Sequence, residues 1–133
     1  MVSKDKKSIK LNKKRLINSF RFAIEGIKTA YKEEQNIRIH TIVAIVVIIL
    51  GVLLKISSIE LAICIILIGL VLMAEFFNTS IENMVDMITL DKNPYAKKAK
   101  DIAAAGVLVF AVSSMIIGLM IFIPKIIGLL KIS

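Results

Sequence analysis

The sequence predicts an all-α integral membrane protein, a single membrane domain over residues 1–133 with one amphipathic surface helix and three transmembrane helices. Three observations predict it. Hydrophobic residues make up 57% of the chain, and they gather in long runs without the polar faces that helices of a soluble protein of this size need. The formal net charge of +8 is unevenly placed, with eleven of the eighteen Lys and Arg before residue 39 and four more between Lys92 and Lys100. Carboxylates then enter an apolar run at Met73 to Thr89, and ionisable groups inside a spanning segment mark a functional site whose partner must be found.

Met1 to Lys14 is Lys-rich and lacks helical periodicity, so it reads as a solvated basic tail. No signal peptide is expected, because the first apolar run begins too late and no small-residue cleavage site follows it. Over residues 15–33, Leu16, Phe20, Ala23, Ile24, Ile27, Ala30 and Tyr31 recur at helical spacing, with Arg21, Glu25, Lys28 and Lys32 opposite. That pattern carries too many charges to span a bilayer and fits a helix lying in the interface.

The first span is expected over residues 37–54, with His40 and Thr41 as the polar residues of its apolar run. A histidine at the start of a span reads as an interfacial polar residue rather than a ligand. Lys55 to Glu60 forms a short turn. A second span over residues 59–89 would be about 46 Å long at 1.5 Å per residue, longer than a hydrocarbon core of about 30 Å. Its last turns should therefore emerge into the interface. Asn93-Pro94 breaks the helix in the connector, Lys97 to Asp101 starts the next, and the third span covers residues 98–123 with Pro124-Lys125 ending it. Ala103, Ala104, Ala105 and Gly106 let backbones approach closely. Cys64, the lone cysteine, supports neither a disulfide nor a CxxC site and reads as a small buried or lipid-facing hydrophobe.

A basic chain can bind nucleic acid or anionic lipid; the apolar context selects the membrane. The Lys and Arg asymmetry puts the N-terminus and the Lys92–Lys100 loop inside and the C-terminus outside. Arg15, Glu34, Glu75, Asn78, Glu82, Lys100 and Asp101 then collect at the cytoplasmic face. At about 100° per residue, Glu75, Asn78, Thr79, Glu82 and Asp86 form one stripe along a helix.

That set of side chains suits phosphoryl transfer, which needs positioning, charge neutralisation and a base for the nucleophile. Glu34 and Glu82 are hard oxygen donors fit for Mg²⁺, and Lys100 and Arg15 can neutralise phosphate oxygens. Glu75, shielded by Phe76 and Phe77, suits a general base that takes a proton from an alcohol. No GxxxxGK[ST] loop or kinase glycine loop is present, so a nucleotide site must be built from helix side chains. Blander roles compete: Asn78 as interhelical glue, Lys97 and Lys98 as topology determinants, Asp86 as solvation of a helix end.

Glu75-Phe-Phe-Asn78-Thr-Ser-Ile-Glu82-Asn-Met-Val-Asp86, followed by Ala99-Lys100-Asp101-Ile-Ala-Ala-Ala-Gly-Val107, resembles the small prokaryotic diacylglycerol kinase family. Ser19-Phe20 to Gly26 and Glu34-Gln-Asn36-Ile-Arg38-Ile-His40 look like its Gram-positive branch, whose members are thought to phosphorylate undecaprenol. The resemblance implies an ATP-dependent lipid kinase of the bacterial cell membrane, a homotrimer with sites between protomers. It implies Glu75 as general base with Asn78 beside it, and Glu34 and Glu82 as ligands of the Mg²⁺ that bridges ATP phosphates. Lys100 and Asp101 would contact the nucleotide, Arg15 the phosphates and Phe22 the nucleoside, while Asp91, Lys92 and Asn93 would border the adenine. The chain has no Trp, whereas enterobacterial members place Trp at the membrane surface, so those lipid contacts do not carry over. Diacylglycerol is the alternative acceptor. A small proton-coupled transporter is the alternative class, but it would want its Glu in mid-span and would leave Glu82, Lys100 and Asp101 idle. A structural membrane subunit would leave the whole stripe unexplained.

Overall fold

The computed structural model describes residues 13–131, so the expected basic tail lies mostly outside the described residues. Four α-helices follow one another: α1 (Lys13–Glu33), α2 (Gln35–Leu53), α3 (Ser58–Ile88) and α4 (Pro94–Leu130). The chain divides into two compact units, residues 1–33 and 34–133. In the first, α1 carries an Arg21–Glu25 ion pair of 3.5 Å, and the Arg21 guanidinium stands 5.2 Å from the Phe22 ring centroid. The spacing of four residues brings that ion pair onto one side of the helix.

In the second unit α3 packs against both α2 and α4. All three helices are long and apolar enough to cross a membrane by length and composition. Their large side chains, among them Ile42, Ile45, Val52, Leu108 and Met120, are mostly exposed, as expected where lipid rather than a protein core solvates the helix surface.

The α2–α3 turn is built locally. The Ile56 and Lys55 amides donate to the Gly51 and Val52 carbonyls at 3.1 and 3.2 Å, which satisfies carbonyls that α2 would leave bare. This closure needs a left-handed residue, here Lys55 at φ 50°. It also presses Ile56 onto Gly51, where an added Cβ would stand 2.9 Å from Ile56 Cδ1. Ser57 and Glu60 then start α3 with a reciprocal capping box: the Ser57 amide donates to Glu60 Oε2 at 2.6 Å and the Glu60 amide to Ser57 Oγ at 3.2 Å.

Helix α4 departs from the expected span at both ends. It begins at Pro94 rather than near residue 98, because the Asn93 side chain accepts from the Tyr95 and Ala96 amides and proline fits a first helical position. It also runs through Pro124 to Leu130 instead of stopping there. Proline removes one amide from the ladder, but ending the helix inside an apolar stretch would orphan several carbonyls at once. Continuation through Ile126, Ile127 and Leu129 is the smaller loss.

Two ion pairs fix α3 and α4 as an antiparallel hairpin. Lys125 Nζ meets Glu60 Oε2 at 3.4 Å at one end, and Lys100 Nζ meets Asp86 Oδ1 at 2.6 Å at the other. The end of the bundle formed by the start of α2, the end of α3 and the start of α4 holds the acidic stripe.

Candidate active site

Glu75, Asn78 and Glu82 recur at i, i+3 and i+7 and so share one face of α3. Glu75 is 3% exposed, and its neighbours Asn78 and Thr79 are also buried. A carboxylate so enclosed needs a partner, and α2 supplies it: His40 Nε2 lies 3.2 Å from Glu75 Oε1. His40 is therefore no mere interfacial residue. Glu82 continues the same face of α3, and Glu34 precedes α2 at the same end of the bundle.

The Asn78 amide donates to Glu82 Oε1 at 3.1 Å, along α3 rather than across to another helix. Its own Oδ1 and the Thr79 hydroxyl are buried with no hydrogen-bond partner among the described residues. Such atoms cost free energy unless something else meets them. Glu34 occupies the cap position before α2 without using its side chain as a cap, which leaves that carboxylate to other duties. Glu34 and Glu82 are both half-buried. Among the described residues no three His, Cys, Asp or Glu converge as a ready metal cage. Two acidic oxygen donors still fit a Mg²⁺ ion that keeps waters and substrate oxygens in its shell.

A second cluster lies where α3 ends and α4 begins, in a cleft of about 560 Å³ lined by Asp86, Asp91, Lys92, Asn93, Lys97, Lys100 and Asp101. That volume suits a small-molecule site. The cleft brings Asp91, Asn93, Lys100 and Asp101 together, and each already has local work. Lys100 is held by Asp86, which is thus more than solvation of a helix end. Asp101 pairs with Lys97 at 2.5 Å, Asn93 Oδ1 caps α4, and the Asp91 amide donates to Thr89 Oγ1 at 3.1 Å. Glu75 and Asp86 differ by eleven positions, about 16 Å along the helix axis at 1.5 Å per residue.

An apolar groove of about 450 Å³ runs between α2, α3 and α4, lined by Val43, Val47, Leu67, Val71, Met115 and Phe122 among others, with His40 also on its wall. Buried Cys64 lines the same groove as a free thiol. Arg15 and Phe22 stand on α1, in the first unit, both exposed; the Arg15 carbonyl accepts from Ser19 Oγ at 3.0 Å.

Residues 21–122 match the prokaryotic diacylglycerol kinase family. This chain is a member of that family. It is 46% identical over 125 residues to the undecaprenol kinase of Bacillus subtilis, covering 94% of this chain and 99% of that one. It is 34% identical over 116 residues to a diacylglycerol kinase of Synechocystis, covering 86% and 66% of the two chains. With a diacylglycerol kinase of Haemophilus influenzae the identity is 32% over 94 residues, 71% and 80% of the two. The protein is thus a lipid kinase of the diacylglycerol kinase family, a multi-pass membrane protein that uses ATP.

From sequence, His40 reads as interfacial and Asp86 as either part of the acidic stripe or solvation of a helix end; the structure pairs them with Glu75 and Lys100. For His40 a signal existed: it is an ionisable group in an apolar segment, the kind of residue that should be matched to a partner at once. For Asp86 the signal was the acidic stripe itself, which it extends by one further turn.

Proposed function

We propose that the protein transfers the γ-phosphoryl group of ATP to the hydroxyl of undecaprenol at the cytoplasmic face of the bacterial membrane. The observation that carries this reading is the buried Glu75 carboxylate, held by His40 at the edge of an apolar groove. A base placed there meets a hydroxyl whose hydrocarbon remains in lipid. Undecaprenol is preferred to diacylglycerol because the similarity to the Bacillus subtilis undecaprenol kinase extends over nearly both chains.

In this reading Glu75 takes the proton of the acceptor hydroxyl as its oxygen attacks the γ-phosphorus. The new P–O bond forms while the bond to the β-phosphate oxygen breaks and ADP departs. Asn78 is next to the reacting hydroxyl, with its unpartnered Oδ1 available to a substrate group. Glu34 and Glu82 would hold Mg²⁺, whose bound charge would offset that of the β- and γ-phosphates. Lys100 leaves Asp86 for phosphate oxygens, since both are anionic partners of an ammonium. Asp91, Asn93 and Asp101 face the nucleoside across the cleft; the nucleotide contacts of Arg15 and Phe22 rest on the family resemblance alone. Basic residues at the N-terminus and around Lys92–Lys100 support a cytoplasmic site. A homotrimer with sites shared between protomers belongs to the same proposal and rests on the family resemblance.

The test is an acceptor competition. Purified protein in mixed micelles, given labelled ATP with equal mole fractions of undecaprenol and diacylglycerol, should put most label into undecaprenyl phosphate. A clear preference for phosphatidic acid would move the protein to the diacylglycerol branch.

A further inference from the structure

We propose that His40 is a positioning residue for the phosphoryl transfer, fixing the Glu75 carboxylate so that one oxygen is bound and the other faces the acceptor hydroxyl. This rests on the reading of Glu75 as general base. Three observations carry it. His40 Nε2 is 3.2 Å from Glu75 Oε1 across the α2–α3 contact. Glu75 is 3% exposed, so its carboxylate depends on donors from the protein. His40 also lines the apolar groove, so the pair stands where a lipid acceptor meets the polar end of the bundle.

The chemistry follows from the donor inventory of an imidazole. An ionised carboxylate only accepts hydrogen bonds, so the contact requires the proton on Nε2. With Nε2–H donating to Oε1, Oε2 keeps its lone pairs for the alcohol proton. The carboxylates of Glu34 and Glu82 supply no donor, and the Asn78 amide is committed to Glu82. Removing the imidazole leaves the carboxylate free to rotate or to find another donor. A base misplaced by about 1 Å loses on the order of 10²-fold in rate.

The experiment compares His40→Gln with His40→Leu in purified protein, using labelled ATP and undecaprenol, and confirms the fold of each variant by circular dichroism and by elution as a single species in detergent. A glutamine amide reaches roughly the place of Nε2 and keeps the donor; leucine keeps bulk and removes it. The expected result is that His40→Leu lowers kcat by about 10²-fold with the KM for ATP within about twofold, while His40→Gln recovers most of kcat. A purely structural role would show as reduced ATP binding with kcat per folded molecule preserved, and that outcome overturns the proposal. So does a folded His40→Gln variant as slow as His40→Leu. If His40→Leu does not fold, His40→Ala takes its place: a loss of kcat that His40→Gln largely recovers supports the donor role, and an unchanged kcat in His40→Ala refutes it. Glu75→Gln separates the two readings. Should Glu75→Gln be inactive while His40→Leu is fully active, the base stands and the positioning role fails. Should Glu75→Gln turn over normally, the base reading itself fails.

Discussion

Replacing Glu75 by Gln is expected to lower kcat by about 10³-fold, within the range of about 10²–10⁴ that a positioned base contributes. Ionised glutamate can take the acceptor proton; glutamine cannot. The change is otherwise small. Its side-chain carbonyl can still accept from His40 Nε2, the partner found at 3.2 Å, and its volume suits the same buried site. Nucleotide binding should remain near normal, because the cleft around Asp91, Asn93, Lys100 and Asp101 lies about 16 Å farther along α3. Initial rates and equilibrium ATP binding on the same preparation check both halves. A variant that keeps normal turnover removes Glu75 from the base role.

The second large effect is expected from the double variant Glu34→Gln, Glu82→Gln. Each substitution keeps a carbonyl acceptor, so Asn78 can retain its bond at position 82, but two negative oxygen donors are lost. Hard divalent cations depend on ligand charge. The Mg²⁺ concentration for half-maximal activity should rise at least about tenfold, and turnover at millimolar Mg²⁺ should fall by about 10²-fold or more, as several kcal/mol of charge stabilisation are withdrawn. Each single variant should fall between. Magnesium titrations of activity check this, and an unchanged midpoint in the double variant would assign the metal to other groups.

The all-helical architecture was legible because its signals are one-dimensional. Apolar runs of spanning length mark three helices, and the i, i+3, i+4 pattern around Leu16, Phe20 and Ile24 marks the amphipathic one. The stripe from Glu75 to Asp86 was legible for the same reason, since residues on one helix face are set by spacing alone. Pairings across helices were not. The His40–Glu75 contact depends on the offset between α2 and α3 and joins residues thirty-five positions apart, which no periodicity encodes. Asp86–Lys100 and Glu60–Lys125 depend likewise on how α3 and α4 slide past each other. The start of α4 could have been read from the Asn93-Pro94 cap. Its passage through Pro124 could not, because a local breaking preference is overridden by an apolar setting in which an open helix end costs more.

The proposed reaction requires the acidic end of α3 to face the compartment that holds ATP. Met87, 87% exposed near that end, is suited to reporting it. In a Cys64→Ala, Met87→Cys variant, a membrane-impermeant maleimide is expected to label inside-out vesicles and to leave intact cells unlabelled. Labelling of intact cells would put the carboxylates on the outer side, away from ATP, and would contradict the proposed reaction.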